Sequence, residues 1–538
     1  MLQEARENGL VPVTSGELRL QVELARAFVR GAGLNKGDRC ALLAANSIRW
    51  VALDLALIAE GVIAVPLNTR QTLKELAGMM RDADPQLICV GDAELVDALR
   101  AELPFTFRIV TFEEVFDEAA ASASGTMVPA PLVPLHDLDP VTIIYTSGTS
   151  GEAKGVVLTC GNITFMQKRI AARLDKLMAG HSGVERVFHY PPFNFAGSWM
   201  MLLASLSRNS VMTLSMELTR LQKEMQVAAP HYFMNVPLLL ERVRRGIEDN
   251  ISKGGGIVAK IFNRAGAAWF TRHGEEQSRA DGGGGFQLAI ARMAIFPTIR
   301  KRIGVNLKAL ICGSAPLSRD TQLFFMMIGI PVLQVYGLTE TTAICTMDDP
   351  ACVEPGWVGP AIPGIEMKLG AEQEVIVRGP NIFPGYWKRP EETAKVLRDG
   401  WFHTGDQGEV NANGNWRIIG RIKNLLVLSS GHNVAPEPIE EKLMAILPGA
   451  QQVVLVGHGR SYLTAIVTGQ IARERVGAAL ESLNAQAPHY KRIHNFHVER
   501  EAFTMESGLL TANGKLRRDA ISARFAAQIE TLYREKSA

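Results

Sequence analysis

The strongest constraint on the fold is the regular alternation of helix-like and strand-like segments through the first hundred residues. Thr14 and Glu17 form the capping-box pattern that opens an amphipathic helix, and the apolar strand CALLAAN, residues 40–46, follows it. A second helix over 47–60 leads into VIAVPLN, and a third helix from Thr72 leads into LICVGD. Helices that alternate with strands are typical of a doubly wound parallel sheet, so the sequence predicts the α/β class.

Composition and charge narrow the class of protein. The chain has 538 residues, of which 47% are hydrophobic and 21% charged, as in a folded protein with a large core. Lys and Arg total 57 against 55 Asp and Glu, so bulk charge indicates neither nucleic acid nor an anionic membrane as a partner. The six cysteines contain no CxxC pair, and MLQEARENGL has no apolar signal segment. We expect a cytoplasmic protein, with peripheral contact at the inner face of the membrane left open.

The segment YTSGTSGEAKGV, residues 145–156, carries the clearest chemical signal. It contains four Ser or Thr residues, three glycines and a lysine directly after a strand-like run. Glycine lets backbone N–H groups approach an anion, hydroxyls donate further hydrogen bonds, and Lys154 supplies positive charge, which suits phosphate oxygens. Ala153 and Gly155 stand where a Walker A loop needs Gly and Ser or Thr, so that motif is excluded. Taken alone, the segment also fits a plain Gly/Ser surface turn.

This loop is similar to the phosphate loop of the adenylate-forming superfamily, which contains acyl-CoA synthetases, luciferases and the adenylation domains of peptide synthetases. Further segments resemble core motifs of that family in the same order: GSAPL at 313–317, VYGLTETT at 335–342, GWFHTGD at 400–406, GRIKNLLVLSSGHNVAPEPIE at 420–440 and ANGKLRR at 512–518. The resemblance covers the chain from Asp38 onward and is greatest to bacterial long-chain fatty acyl-CoA synthetases. It implies a large N-terminal domain of doubly wound sheets, residues 1–422, and a small mobile C-terminal α+β domain, residues 423–538.

The resemblance implies a two-step reaction. A fatty acid carboxylate attacks the α-phosphate of ATP to give an acyl-adenylate and pyrophosphate, and the thiol of CoA then displaces AMP. ATP, Mg²⁺ and CoA are the implied cofactors and co-substrates. Fatty acid and CoA are the expected small-molecule partners, no nucleic acid is expected, and the oligomeric state stays open.

The resemblance also assigns residues to adenylation. Lys154 and Thr339 would face the phosphates, Glu340 would hold Mg²⁺ through a hard oxygen ligand, and Lys515 would bridge the carboxylate and the α-phosphate. Other ATP and AMP contacts would come from the phosphate loop, the adenine-binding segments and two residues on the ribose side: Thr146, Ser147, Gly148, Thr149, Gly313, Ser314, Ala315, Tyr336, Gly337, Asp406 and Arg421.

Four of the implied roles are more specific. Tyr336 would stack on adenine, and Asp406 would accept hydrogen bonds from both ribose hydroxyls. Lys423 occupies the position of the family's hinge between the two domains. Gly431 would line the channel for the pantetheine arm of CoA.

The acyl group is expected to bind near YPPFNFAGSWMMLL, residues 190–203. Asn194 stands where family members often carry histidine, Gly197 lies in the same stretch, and Trp199 would gate an acyl tunnel. Aromatic residues and methionines in such a stretch are also common in an ordinary hydrophobic core, and that alternative remains.

Two further expectations concern chain organisation. The glycine clusters and basic residues between 253 and 287 predict a surface loop, with a membrane or partner contact as the alternative. The early strand pair that relatives carry is expected to be missing before the Thr14 helix, which raises the alternative of a late start.

Several functions compete with a fatty acid–CoA ligase. A ligase that loads a carrier protein, or one that adenylates another carboxylic acid, fits the same motifs. A non-catalytic nucleotide or fatty-acid binding protein would be marked by loss of Lys154, Glu340 or Lys515, and all three are present. A nicotinamide dehydrogenase is disfavoured, because GAGLNKG at 31–37 lacks the GxGxxG spacing and follows a helix.

Overall fold

The computed structural model describes residues 1–104, 106–117, 130–147, 153–273, 285–485, 487–511 and 514–534. These residues fall into two compact units. Unit 1 contains Met1–Met367, Val377–Phe402 and Asn411–Trp416. Unit 2 contains Lys368–Ile376, His403–Val410 and Arg417–Ala538.

The α-helices of the described residues are numbered in chain order. They are α1 Ser15–Gly31, α2 Ile48–Ala59, α3 Leu73–Ala83, α4 Glu94–Glu102, α5 Phe112–Val115, α6 Cys160–Leu177, α7 Ala196–Leu206, α8 Leu221–Ala228, α9 Pro237–Gly254, α10 Gly256–His273, α11 Gly285–Ile290, α12 Phe296–Ile303, α13 Arg319–Met327, α14 Pro390–Val396, α15 Glu437–Ile446, α16 Arg473–Ala485, α17 Arg518–Arg524 and α18 Ala526–Arg534. A π-helical turn, Ala291–Ile295, joins α11 to α12. Each helix within the described ranges falls short of the length or apolarity that crossing a membrane requires.

The strands are numbered in the same way. They are β1 Leu2–Arg6, β2 Gly9–Val13, β3 Arg39–Leu43, β4 Ile63–Leu67, β5 Leu87–Val90, β6 Ile109–Thr111, β7 Pro140–Ser147, β8 Ala153–Thr159, β9 Glu185–His189, β10 Ser210–Ser215, β11 Tyr232–Asn235, β12 Ala309–Cys312, β13 Val332–Tyr336, β14 Thr346–Met347, β15 Glu366–Leu369, β16 Glu374–Arg378, β17 Leu397–Arg398, β18 Trp401–Val410, β19 Trp416–Arg421, β20 Leu426–Val427, β21 Asn433–Val434, β22 Gln452–Val456, β23 Leu463–Thr468 and β24 Ile493–Glu499.

Local signals correctly predicted the first helices. The Thr14 Oγ1 atom accepts from the Glu17 backbone N–H at 3.2 Å, and the Glu17 carboxylate accepts from the Thr14 N–H at 2.7 Å. Thr72 and Glu75 make the same reciprocal pair at the start of α3. These side chains satisfy N–H groups that the first helical turn leaves without partners, so the capping box at α1 is confirmed.

Unit 1 contains two large, mainly parallel sheets. The first has eight strands in the order β14-β13-β12-β11-β9-β10-β1-β2, and the second has six in the order β6-β5-β3-β4-β7-β8. Antiparallel pairing occurs only at the edges β14, β2 and β8 among the described strands of these two sheets. Helices connect the parallel strands, so the predicted α/β class is confirmed.

The expectation that the early strand pair is missing was wrong. β1 pairs in parallel with β10 and antiparallel with β2, and Leu2 and Ala5 are buried. The strand is short and carries Glu4, whose carboxylate accepts from the Ile48 backbone N–H at 2.9 Å. Because its polar residues find partners far along the chain, local patterning did not indicate a buried strand.

The prediction of a surface loop between 253 and 287 was also wrong for the described part of this segment. Helix α10 fills most of this segment, and it buries Phe262, Ala265 and Trp269 at helical spacing. The Trp269 indole N–H donates to the Leu323 carbonyl oxygen at 3.0 Å. Glycines and basic residues on the other faces obscured this apolar stripe. Residues 274–284 lie outside the described residues.

Unit 2 contains a small α+β core, as predicted for the C-terminal part. Strands β22, β23 and β24 form a three-stranded sheet, with β22 antiparallel and β24 parallel to the central β23. One apolar cluster joins this sheet to α15 and α16, and a second includes Ile521, Phe525 and Ile529 of the last two helices and the link between them. The predicted strands near 453–456 and 463–467 and the helix over 473–485 are confirmed.

Candidate active site

The predicted adenine-binding segments follow two neighbouring parallel strands of the eight-stranded sheet. β12 ends at Cys312 and β13 ends at Tyr336, and the two strands pair directly. Parallel strands place their carboxyl ends at one edge, so 313–315 and 336–337 lie at the same edge. Open α/β sheets bind ligands at such edges, and the predicted adenine-binding residues are therefore brought together.

Two glycines at this edge are required by close packing. A Cβ atom on Gly313 would lie 2.7 Å from the Val335 Cγ2 atom. A Cβ atom on Gly337 would overlap the Ala343 carbonyl oxygen. Ser314 is exposed and has a left-handed φ of 74°. Close packing within the protein therefore requires glycine at both strand ends.

A short 3-10 turn, Thr339–Thr341, positions Thr339, the candidate phosphate ligand, and Glu340, the candidate magnesium ligand. The Thr341 hydroxyl oxygen accepts from the Leu338 N–H at 2.9 Å, and the Thr342 hydroxyl donates to the Asn381 carbonyl oxygen at 2.7 Å. The Glu340 carbonyl oxygen accepts from the Phe383 N–H at 2.9 Å. These bonds fix the backbone of Thr339 and Glu340, whose side chains stay half-buried.

Tyr386 links Glu340 to Lys154. Its hydroxyl donates to the Glu340 Oε1 atom at 2.9 Å, and the centre of its ring lies 5.3 Å from the Lys154 ammonium nitrogen. Lys154 lies on β8 of the six-stranded sheet, whereas Glu340 follows β13 of the eight-stranded sheet. The structure thus brings the predicted phosphate lysine and metal carboxylate to one aromatic side chain. The sequence reading missed Tyr386, whose only signal was the aromatic and charged run YWKRPEE.

The phosphate loop is described only at its two ends. Thr146 of β7 pairs with Lys154 of β8 in the antiparallel register, and the Ser147 backbone pairs with that of Ala153. Gly148 and Thr149 lie outside the described residues. The two described ends of the loop therefore lie next to each other at Lys154.

Lys154 forms an ion pair with Glu392 of α14, a residue that sequence analysis did not select. The nearby ammonium group holds the pKa of the Glu392 carboxyl below its usual range. The carboxylate is therefore charged near neutral pH.

The two ribose-side candidates are paired within unit 2. Asp406 is 4% exposed, and its Oδ1 atom lies 2.6 Å from the Arg421 Nε atom. Arg421 also donates to the Thr404 carbonyl oxygen at 3.3 Å. The guanidinium compensates the buried carboxylate and fixes its orientation. Binding of ribose by this pair stays a prediction.

Lys423 and Lys515 interact electrostatically within unit 2. The pKa of Lys423 is lowered, first by desolvation and then by the positive charge of Arg421, with a smaller contribution from Lys515. Lys515 is exposed and follows Gly514, and the Thr511 N–H donates to the Lys515 carbonyl oxygen at 2.8 Å. This lysine therefore lies at the surface of unit 2.

Gly431 lies in the turn between β20 and β21. Its N–H donates to the Leu428 carbonyl oxygen at 2.8 Å, and its φ of 81° is left-handed. A Cβ atom there would have no neighbour within 4 Å among the described atoms. Backbone conformation, rather than space, therefore favours glycine at this position.

The predicted acyl segment is largely buried. Trp199 of α7 is 2% exposed, and its indole N–H donates to the buried Asp54 carboxylate at 2.8 Å. Gly197 lies two residues earlier, where a Cβ atom would be 3.7 Å from the Met234 sulfur. The Asn194 side-chain oxygen is buried without a hydrogen-bond partner among the described residues. Roles for these three residues in acyl binding stay predictions.

His189 at the end of β9 was missed by the sequence reading. Its Nε2 atom lies 2.7 Å from the Ser198 Oγ atom, and the Ser198 hydroxyl donates to the Pro191 carbonyl oxygen at 2.9 Å. The Ser198 oxygen therefore accepts from a protonated Nε2. Burial lowers the pKa of His189 to about 4, so the ring is neutral at physiological pH. This hydrogen-bond chain fixes the backbone at the start of the predicted acyl segment.

Glu340 fits a magnesium ion that is bound together with nucleotide. The described residues contain no group of three or more His, Cys, Asp and Glu side chains able to hold a metal ion. Proteins usually bind Mg²⁺ through one or two carboxylates together with substrate phosphates and waters. The Glu340 carboxylate beside the Thr339 hydroxyl matches that donor chemistry.

We predict that Asp54→Asn makes unfolding less dependent on pH. Burial raises the pKa of Asp54 to about 7 from 3.8, although the Trp199 hydrogen bond opposes the shift. The folded state then holds a proton that the unfolded state has lost, so the Asp54 contribution to stability falls as pH rises between these two pKa values. Asparagine keeps the acceptor for the indole and cannot ionise.

Thermal melting at pH 5 and pH 8 tests this prediction. The melting temperature of Asp54→Asn relative to wild type should increase by a few degrees between pH 5 and pH 8. The matched control is Asp97→Asn, at an exposed position of α4. A pH-independent difference between Asp54→Asn and wild type would contradict the buried titration.

Comparison with known proteins identifies similar chains. A model described as AMP-binding enzyme matches residues 8–387, and one described as AMP-binding enzyme C-terminal domain matches 423–537. Long-chain-fatty-acid–CoA ligase FadD15 of Mycobacterium bovis is 27% identical over 97% of this chain and 92% of its own length. The chloroplastic long-chain-fatty-acid–[acyl-carrier-protein] ligase AEE15 of Arabidopsis thaliana is 26% identical, over 94% of this chain and 80% of its own. The ATP-bound crystal structure of MatB from Rhodopseudomonas palustris has a similar fold, with a TM-score of 0.74, 22% identity and coverage of 97% and 95%.

Proposed function

Because the chain belongs to the AMP-binding enzyme family, we propose that it activates a long-chain fatty acid with ATP and transfers the acyl group to CoA. In the first step the carboxylate attacks the α-phosphate, which gives an acyl-adenylate and releases pyrophosphate. In the second step the thiol of CoA attacks the acyl carbon and AMP leaves. The observation that carries the proposal is that Tyr386 contacts both Lys154 and Glu340.

The residues of unit 1 supply charge for the first step. Lys154 and the Thr339 hydroxyl stabilise negative charge on the phosphates, which rises as the carboxylate approaches. Glu340 would hold Mg²⁺, which would supply positive charge to the departing phosphates. Tyr386 orients the Glu340 carboxylate through its hydroxyl.

We assign three residues of unit 2 to the proposed reaction. Asp406 accepts hydrogen bonds from the ribose hydroxyls, with Arg421 fixing its orientation. Lys515 bridges the attacking carboxylate and the α-phosphate. We keep the proposed boundary between an AMP-binding domain, 1–422, and a C-terminal cap, 423–538, with Lys423 as the hinge.

Relatives support the choice of substrates. FadD15, which matches nearly the whole chain, is named for long-chain fatty acids and CoA. AEE15 is named for a carrier-protein acceptor, so loading of a carrier protein is the second candidate function. Transfer of the acyl group to free CoA distinguishes the two.

We also propose that the protein is cytoplasmic and contacts an anionic membrane surface through α10–α12. The described residues of this region carry three Lys or Arg in α10 and four over 285–303, with no Asp or Glu. Phe286 and Met293 are 74% and 83% exposed. Exposed apolar side chains among basic residues favour binding to anionic lipid.

Replacing Phe286 and Met293 together by Ser should reduce sedimentation with phosphatidylglycerol vesicles at least severalfold, because the apolar anchors are lost. Ala289→Ser, an exposed change in α11, is the matched control. Vesicles of neutral phosphatidylcholine should bind wild type weakly. Failure of wild type to sediment with anionic vesicles would contradict the membrane proposal and leave the ligase proposal intact.

Glu340→Gln should lower the rate of pyrophosphate–ATP exchange by about 10²-fold and raise the Mg²⁺ concentration that gives half-maximal rate. The amide keeps an acceptor for Tyr386 but loses the charge that attracts the ion. Glu113→Gln, at an exposed position, is the control. A magnesium titration identical to that of wild type would refute the metal role.

Variants in unit 2 should separate the two steps. Lys515→Ala should lose acyl-adenylate formation by at least tenfold while still converting supplied palmitoyl-AMP and CoA into palmitoyl-CoA. Gly431→Asn should show the opposite pattern, because it adds bulk to the proposed pantetheine channel. Asparagine tolerates the left-handed φ of this turn better than other side chains. Equal loss of both steps in each folded variant would argue against separate roles.

A further inference from the structure

The ion pair between Lys154 and Glu392 is fixed by the backbone around it. The Trp387 N–H donates to the Gly155 carbonyl oxygen at 2.7 Å, and the Val157 N–H donates to the Gly385 carbonyl oxygen at 3.3 Å. Residues 385–387 therefore run alongside β8 immediately next to Lys154. The two charged side chains are 24% and 28% exposed, so solvent screens the pair only in part.

Further contacts hold the segment that carries Glu392. Arg389 lies 3.4 Å from the Asp82 carboxylate and 3.5 Å from the Glu392 carboxylate. The same Asp82 carboxylate accepts from the Tyr145 hydroxyl at 2.6 Å. The Glu392 carboxylate thus faces two cations, Lys154 and Arg389, in a position set by several independent bonds.

Two anions compete for one ammonium group in this arrangement. The proposed function makes Lys154 a ligand of the ATP phosphates, yet the lysine is already paired with a carboxylate. A triphosphate that approaches Lys154 meets the negative charge of Glu392 and must displace it. After pyrophosphate leaves, Glu392 can pair with the lysine again.

We infer that Glu392 is an exchangeable counter-charge for Lys154, which weakens ATP binding and assists the release of pyrophosphate. The inference rests on the proposed function, because it needs Lys154 to bind phosphate. It makes Glu392 a positioning residue, since it acts on the nucleotide through Lys154.

The direct test is calorimetric titration of the whole protein with MgATP and with magnesium pyrophosphate. Glu392→Gln should lower the Kd of both ligands by about two- to fivefold, the size expected for a partly exposed charge pair. In pyrophosphate–ATP exchange the KM for ATP should fall by the same factor. A role limited to structure would instead weaken binding or leave it unchanged.

Glu391→Gln is the matched control. Glu391 is exposed on the same turn of α14, and its replacement removes the same charge. It should change the Kd of ATP much less than Glu392→Gln. Equal tightening in the two variants would overturn the inference, because it would reflect general electrostatics alone.

A double-mutant cycle tests whether Lys154 carries the effect. In a Lys154→Ala background, Glu392→Gln should no longer lower the Kd of ATP. Persistence of the full effect there, or weaker binding of ATP by the single variant Glu392→Gln, would overturn the inference. ATP binding by wild type without exchange activity on any carboxylic acid would count against the proposed function, whereas the binding data would still decide the role of Glu392.

Discussion

The hydrogen bond from Tyr386 to Glu340 connects two parts of unit 1 that the chain builds separately. Lys154 extends from an edge strand of the six-stranded sheet, and Glu340 follows a strand of the eight-stranded sheet. Tyr386 contacts both side chains, with its hydroxyl on the carboxylate and its ring near the ammonium. A nucleotide site needs cations for its phosphates and a carboxylate for its metal ion. Glu392 forms an ion pair with the same lysine.

Local sequence patterns predicted the elements whose causes are local. The capping pairs of α1 and α3 lie within one helical turn, so their residues identify the helix starts without tertiary information. Gly313 and Gly337 were identified through motifs, and packing against Val335 and Ala343 explains why glycine stands there. The alternation of strands and helices was sufficient for the α/β class.

Features that depend on distant partners were not predicted. β1 is a buried strand because β10, two hundred residues later, pairs with it. The apolar face of α10 was hidden by glycines and basic residues, although Trp269 is buried against α13. Tyr386 and Glu392 became candidate site residues only through their contacts with Glu340 and Lys154, which are far away in sequence. Periodicity within a short window contains none of this information.

The near-neutral net charge of the chain agrees with a proposed site whose charge comes from a few nearby residues. Two of the candidate ligand-binding cations have acidic partners: Lys154 pairs with Glu392 in unit 1, and Arg421 pairs with Asp406 in unit 2. Such pairing compensates the charges within the protein, and for Lys154 we infer that nucleotide binding exchanges one anion for another. The segment GAGLNKG, residues 31–37, which sequence analysis disfavoured as a dinucleotide-binding motif, connects the end of α1 to β3 and has left-handed glycines at 33 and 37.

The central claim is that this chain forms an acyl-adenylate from a long-chain fatty acid. Exchange of labelled pyrophosphate into ATP, measured with wild type across a panel of carboxylic acids of increasing chain length, tests it most directly. Our account predicts exchange that requires Mg²⁺ and an added carboxylic acid and that is fastest with long-chain fatty acids. Exchange only with short or aromatic acids would contradict the fatty-acid assignment, and no exchange with any acid by folded, ATP-binding protein would contradict adenylation itself.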